Sequence, residues 1–488
     1  MAAAIFAIMI RSSVAGRTVV HLVHETSAIH PAYLEDASGF RGHAERLFIP
    51  EDESGVAEVL QRATRERIPV TISGAGTGVS GGRVPLGGWL LSLEKFSRLE
   101  INRGTALAGT GVLLRDLQAA AAAAGQFYAP DPTETMAFIG GTINTNASGA
   151  RSFKYGATRQ HVSELHAVLA SGEILHVRRN QAADFAIPSI SIPRSTKHAA
   201  GYSLRAGMDW IDLFVGSEGT LGVVTGAELK LLQAPQSLLG GVIFFANDAA
   251  AQDAVDDWSE TASPRMIEYF DRPSLELLRT RFPEIPTNAA AALLIEQELQ
   301  SEDDGETAHW LERIERAKAL VNDSWFGTSA ADRERFRFFR HSLPELVNET
   351  LRRNGCLKMG SDCAVPVQHN REMLNFYRAS LDGLFRGRYV IFGHIGDAHL
   401  HVNILPSKEE SAQAAEILLE FARKAVELGG SVSAEHGLGK RKTHLLPIQY
   451  SPREIEAMRA VKRRLDPAWI LGRGTLFAET ADDPSGAV

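Results

Sequence analysis

Residues 76–81 read GTGVSG, which satisfies the Gly-x-Gly-x-x-Gly spacing of a dinucleotide-binding loop. The residues behind it remove the fold that usually carries this loop. A dinucleotide-binding glycine turn must open a helix, because the helix N-terminus holds the pyrophosphate. Here Gly82, Pro85, Gly87 and Gly88 follow at once, and no helix starts in such a stretch. The loop is read instead as a nest. Backbone N–H groups of Ser73, Gly74, Ala75, Gly76, Thr77 and Gly78 would line a concave anion site. The alternative is a structural glycine turn.

Two further clusters share this character. Residues 129–162 hold Pro130 and Pro132 around Asp131, then Gly140, Gly141 and small polar residues up to Gly149. Residues 215–225, VGSEGTLGVVT, repeat the style. Small residues at this density let a backbone approach a large flat ligand.

Between the clusters the chain alternates helix and strand patterns. Residues 52–73 read as a helix capped by Ser54, with Val56, Val59, Leu60 and Ala63 on one face, then a half-buried strand through Ile68, Val70 and Ile72. A second helix ends at Gly125. Strand patterns follow at 161–170, 173–179 and 221–232. Residues 239–247, LGGVIFFAN, read as a new edge strand, and 249–261 as an acidic helix. Residues 265–380 are rich in charge and helix-formers. Residues 411–430 form an amphipathic helix with Ile417, Leu418, Phe421, Ala425 and Leu428 inward, ending at Gly429.

At 488 residues the chain exceeds one core, so two or three domains are expected. Its net charge of -8 argues against nucleic acid, whose phosphates require a basic face. Cys356 and Cys363 form no CxxC pair, which argues against a cysteine-based cluster; they read as free thiols of a reducing cytosol rather than a disulfide. The apolar run 1–10 is too short to span a bilayer and lacks a basic leader, so it reads as a disordered or strand-forming extension. A cytoplasmic protein is expected, with peripheral membrane association left open.

The densest chemistry lies in residues 392–405, FGHIGDAHLHVNIL. His399 and His401 are two apart, so on a strand they share a face. His394 precedes a Gly396-Asp397 turn and can fold back toward them. Residues 433–439, SAEHGLG, add Glu435 and His436 at the end of a strand after the long helix. Two or three His or carboxylate ligands with a position left open suit zinc, ferrous iron or manganese.

The order of PVTISGAGTGVSGG, PDPTE…GGTINTNASGARSFKYG, GSEGTLGVVT, GHIGDAHLH and SAEHGLG resembles the FAD-dependent 2-hydroxyacid dehydrogenases of the vanillyl-alcohol-oxidase type, from about residue 45 to 477. This group includes D-lactate dehydrogenases, glycolate oxidase catalytic subunits and D-2-hydroxyglutarate dehydrogenases. The resemblance implies an α+β protein: a two-lobed PCMH-type FAD-binding domain at 45–235 after an N-terminal extension at 1–44. A ferredoxin-like antiparallel-sheet substrate (cap) domain at 236–435, with a helical C-terminal part, and a segment at 436–488 returning to the FAD domain complete it. It places the pyrophosphate in the 73–78 loop and surrounds FAD with Pro130, Asp131, Thr133, Gly140, Gly141, Asn144, Ser148, Gly149, Glu218 and Val223. Relatives that attach flavin covalently often use a histidine where Thr77 stands, so non-covalent FAD is expected.

By the same resemblance His394, His401 and Glu435 are ligands of a divalent metal, zinc first, and His436 is the catalytic base. Arg340 binds the substrate carboxylate, Lys358 is a second candidate, and Asn403 contacts substrate or orients the ligands. The implied reaction oxidises a D-2-hydroxyacid to the 2-oxoacid. The implied acceptors are a quinone, a cytochrome, an electron-transfer flavoprotein, an iron–sulfur subunit or oxygen; a homodimer is compatible. Two departures stand out. The family's Gly-Asn pair is Ala398-His399 here, and its Asn-Pro-Gly-Lys tail is Gly472, Arg473, Gly474 and Thr475. Competing readings are a non-redox alkyl-dihydroxyacetonephosphate synthase-like transferase and a metallohydrolase whose glycine loops bind phosphate.

Overall fold

A computed structural model describes residues 6–14, 17–300, 305–356 and 359–478, with backbone alone for the described residues up to 23. Lys358 lies outside the described residues.

The fold is mixed α+β, built on three main sheets. In the first, Phe6–Val14, Arg17–Thr26, Arg46–Pro50, Trp89–Ser92 and Val70–Ser73 lie side by side in that order. The first three are antiparallel, and Trp89–Ser92 pairs in parallel with both its neighbours. The segment set apart as an N-terminal extension thus supplies two strands to this sheet. The second sheet is antiparallel, in the order Ile174–Arg178, Val162–Val168, Val223–Lys230, Thr105–Gly109 and Leu99–Asn102.

The helix Glu53–Glu66 joins these two lobes. Its buried stripe of Val56, Val59, Leu60 and Ala63 packs with Phe48, Trp89 and Leu91 of the first sheet and Val168 and Val223 of the second. Its N-cap is Asp52, not Ser54: the Asp52 carboxylate accepts the Gly55 N–H at 2.7 Å. The spacing makes either residue a competent cap, and the helix starts two residues earlier than expected. The chain end returns here, with the Val70 N–H donating to Ile470 and the Gly472 N–H to Val70.

The third sheet is seven-stranded and antiparallel: Trp325–Gly327, Ser237–Phe245, Ala291–Leu299, Met266–Asp271, Tyr389–His394, His399–Ile404 and Met359–Gly360. Ser237–Phe245, expected at an edge, is interior, shielded by the short strand Trp325–Gly327. Both of its faces are covered. Ile243 and Phe245 meet Trp258 of the helix Asp248–Thr261, while Val242 and Phe244 meet Phe339 and Leu343 of the helix Ala330–Arg353. Burial on both faces replaces alternation with a continuous apolar run, which is why the edge assignment failed. The same masking hides Ala291–Leu299 within the stretch that composition marks as helix-rich. Among the described residues no helix is long and apolar enough to cross a membrane, and both cysteines are free.

Candidate active site

The histidine-rich segment is a hairpin. Tyr389–His394 pairs with His399–Ile404 so that His394 faces His399 and Phe392 faces His401. A short 3-10 turn, Ile395–Asp397, closes it, and Ala398 takes the left-handed region at φ 49°. Gly393, at φ 118°, is required here, since a Cβ would lie 3.0 Å from the His401 ring. His399, His401 and Asn403 therefore share one face of the strand.

That face meets the loop carrying Glu435 and His436. This loop is not the end of a strand. After the helix Ser411–Glu427 the chain makes one isolated bridge, Ser431 with Ala364, and is then held by a carboxylate. Asp362 Oδ2 accepts the Ser433 hydroxyl at 2.6 Å and the His436 N–H at 2.9 Å. Its Oδ1 lies 3.2 Å from His399 Nε2 and 3.4 Å from His436 Nδ1. Burial opposes charge on Asp362, but His436 and His399 outweigh it and hold its pKa well below the usual carboxylate range.

Ring nitrogens of His394, His399 and His401 and an oxygen of Glu435 all lie within 4.8 Å of one another. His399 stands beside the three residues that the resemblance names as ligands. His399 is fully buried; its Nε2 faces Asp362 Oδ1, yet its Nδ1 has no hydrogen-bond partner. Leaving such a group unsatisfied costs about 1–3 kcal/mol, and a coordinated cation removes that cost. The donor set, imidazoles plus one carboxylate, also fits a divalent transition metal. Burial first, then the neighbouring His399 and His394, keeps the His401 pKa well below normal, so its ring stays neutral and ligand-competent. For Glu435, burial is outweighed by Lys197 and His394, which keep it ionised.

Three residues escaped the sequence reading. Lys197 is buried, with Nζ 2.7 Å from Glu435 Oε1, 3.4 Å from Asp397 and 3.0 Å from the Gly149 carbonyl. Glu268 is buried between two site residues: its Oε1 lies 2.5 Å from His394 Nδ1, and its Oε2 accepts Arg340 Nε at 2.8 Å. Asp362 is the third. Each sits far along the chain from the motif it serves, so no local spacing announces it.

Arg340 lines a cavity of about 570 Å³ with Asp131, Thr133, Arg151, Glu296 and Arg337. It also donates to the Thr133 hydroxyl at 3.2 Å. Asn403 Oδ1 is buried without a hydrogen-bond partner. His436 is about one-third exposed, its ring nearly parallel to that of His401 at 5.7 Å.

The residues assigned to flavin fall into two groups. Ser73 ends the strand Val70–Ser73, and Gly74, Ala75, Gly76, Thr77 and Gly78 form a helix-free loop after it, secured by Arg83, which donates to the Gly74 carbonyl at 2.9 Å. A Cβ built on Gly74 or Gly141 meets nothing within 4 Å, so both backbones face open space fit for a flat ligand. Asn144 receives the Gly219 N–H and ties the 215–225 cluster to the helix Ile139–Asn144. Other residues are engaged in packing. Gly149 presses on the Asp131 carbonyl, Gly140 on Thr110, and Val223 is buried in the inter-lobe core, while Pro130 is buried beside Asp131. Ser148 donates to Glu435 at 2.7 Å. Glu218, at φ 53°, spends its carboxylate on the Leu438 and Gly439 N–H groups. In the divergent tail, the Thr475 hydroxyl accepts from Lys440 at 3.1 Å.

Family models match the chain twice: an FAD binding domain over residues 44–178 and the C-terminal domain of FAD linked oxidases over 235–476. The glycolate oxidase subunit GlcD of Bacillus subtilis (strain 168) is 32% identical over 475 residues, 94% of each chain. A D-lactate dehydrogenase of Anaerostipes hadrus is 30% identical over 86% of this chain and 87% of its own. A D-2-hydroxyglutarate dehydrogenase of Xanthomonas citri pv. viticola is 30% identical over 90% of each. Among solved structures, an alkyldihydroxyacetonephosphate synthase superposes with a TM-score of 0.64 over 89% of this chain and 76% of its own, at 16% identity, which speaks to fold alone. With both domains matched and near-full-length relatives at this identity, the chain belongs to the FAD-linked oxidase family and is an FAD-dependent oxidoreductase.

Proposed function

We propose that the protein oxidises a D-2-hydroxyacid to the 2-oxoacid, using non-covalently bound FAD and a divalent metal held by His394, His399, His401 and Glu435. The observation that supports this most is the buried His399, its Nδ1 without a hydrogen-bond partner, among three other donors within 4.8 Å. Three relatives named for 2-hydroxyacid chemistry point the same way. The metallohydrolase reading leaves the FAD-binding domain without a task.

FAD, when bound, supplies the two-electron redox chemistry of the family. A divalent metal in the four-donor set would supply Lewis-acid polarisation of the substrate hydroxyl. The chain's own residues do the rest. Arg340, anchored through Nε on Glu268, offers its other edge to the substrate carboxylate from the cavity wall. Asp362 fixes His436 through its backbone N–H and approaches Nδ1, which leaves Nε2 to take the hydroxyl proton. Asn403 contributes an acceptor from the His401 face of the strand. Glu268 orients His394 through Nδ1, so that Nε2 points to Glu435 at 3.4 Å. Lys197 balances the carboxylates of Glu435 and Asp397.

Anaerobic mixing with D- and L-2-hydroxyacids tests the reading. Bleaching of the ~450 nm flavin band by a D-2-hydroxyacid, lost after chelation and restored by Zn²⁺ or Mn²⁺, is the expected result. Bleaching that survives exhaustive chelation would remove the metal from the reaction, and no bleaching by any 2-hydroxyacid would remove the substrate class.

A further inference from the structure

A second constellation lies away from this site, on the seam between the two lobes of the FAD-binding region. His166 and His176 are direct cross-strand partners in the second sheet. Their rings stack with centroids 3.8 Å apart and planes 13° from parallel. Glu53, the first residue of the helix that belongs equally to the first lobe, reaches both: Oε1 lies 3.4 Å from His166 Nδ1, and Oε2 lies 2.8 Å from His176 Nε2. Thr225, on the adjacent strand, donates its hydroxyl to Glu53 Oε1 at 2.7 Å and fixes the carboxylate.

We propose that Glu53, His166 and His176 form a second divalent transition-metal site that clamps the helix Glu53–Glu66 of one lobe to the sheet of the other. Their donor atoms all lie within 4.8 Å of one another. Ligands at ~2.1 Å from a tetrahedral ion sit about 3.4 Å apart, so the donors are near the required spacing, and binding would rotate the stacked rings out of parallel so that both lone pairs aim at the ion. Two imidazoles and a carboxylate suit zinc-like ions. The His166 and His176 side chains are 39% and 55% exposed, which leaves room for water at the remaining coordination positions. Burial raises the Glu53 pKa, but hydrogen bonds from His166, Thr225 and His176 outweigh it and bring it to about 2, so the carboxylate is ionised at neutral pH. The donors come from three elements whose backbones are fixed by strand pairing or core packing. Such an ion would stiffen the seam rather than take part in the redox reaction.

The test uses the full-length, flavin-loaded protein, stripped of metal and then dialysed against Zn²⁺, with zinc per chain counted for wild type, His166→Asn/His176→Asn, Glu53→Gln and Glu435→Gln. The histidine double variant and Glu53→Gln are each expected to bind one zinc fewer than wild type, with unchanged flavin content and turnover. Glu435→Gln is expected to keep this zinc, so the result does not depend on the ligand set at the active site. Zn²⁺ is also expected to raise the melting temperature of wild type by more than that of the double variant. Equal zinc content in wild type and the double variant, or an equal zinc-induced rise in melting temperature, would overturn the proposal.

Discussion

Glu268 Oε1 lies 2.5 Å from His394 Nδ1, and the other oxygen of the same carboxylate holds Arg340. One buried acid therefore links the histidine cluster to the cavity wall. Burial opposes its charge, but Arg340 and His394 outweigh that and keep its pKa far below normal. Glu268→Gln is expected to loosen both neighbours at once. Metal affinity should fall about 10–100-fold, the range for partners that orient a ligating histidine, and KM for the hydroxyacid should rise. Titration with Zn²⁺ and steady-state kinetics check the two effects separately. A variant that lowers kcat alone would place Glu268 outside substrate and metal binding.

Lys197 is buried between Glu435 and Asp397. Lys197→Met leaves two carboxylates without their cation, and breaking a buried pair costs about 3–5 kcal/mol. A large drop in melting temperature is expected in chelator, with partial recovery in Zn²⁺, because a cation beside Glu435 replaces the missing charge. Recovery of the same size in wild type would show that Lys197 and the metal site are uncoupled.

Ala398 occupies the left-handed region at φ 49°, a conformation that favours glycine. A side chain there costs roughly 1–2 kcal/mol per residue, while glycine costs up to about 1 kcal/mol in unfolded-chain entropy. Ala398→Gly is expected to be neutral or stabilising by up to about 1 kcal/mol, as measured by denaturant unfolding, with metal content unchanged.

Gly141 and Gly149 separate cradle from packing. Gly141→Ala meets nothing within 4 Å, so the protein should fold normally but retain less FAD. Gly149→Ala would put a Cβ 2.0 Å from the Asp131 carbonyl, and overpacking of this kind costs about 1–3 kcal/mol. Flavin content per folded chain and melting temperature distinguish them. Full FAD retention in Gly141→Ala would move the flavin away from this helix.

Burial raises the Glu218 carboxyl from 4.5 to about 7, although the Leu438 and Gly439 N–H groups pull it down. Because the folded state holds this proton more tightly than the unfolded chain, Glu218 contributes fully below pH 4.5. That contribution is lost as pH rises to 7, on the order of 3 kcal/mol. Asp271, raised by burial to about 7, acts in the same direction. The difference between wild type and Glu218→Gln therefore isolates Glu218. Unfolding free energies from pH 5 to 8 should show a shallower pH slope in the variant, and identical slopes would refute the assignment.

The chain order of its motifs determined much of this protein: the family, the FAD domain, and the proposed ligands His394, His401 and Glu435, whose side chains lie together. Local chemistry suffices there, because a helix-free glycine loop and histidines two apart on a strand each carry their geometry in their spacing. Only the tertiary structure decided who supports them. Glu268, Lys197 and Asp362 meet His394, Glu435 and His436 across long stretches of chain, and a buried charge is indistinguishable from a solvated one until its partners are known. The same holds for Ser237–Phe245 and Ala291–Leu299. Residues buried on both faces lose the alternation that marks a strand, so their place in the sheet is set by the helices that cover them.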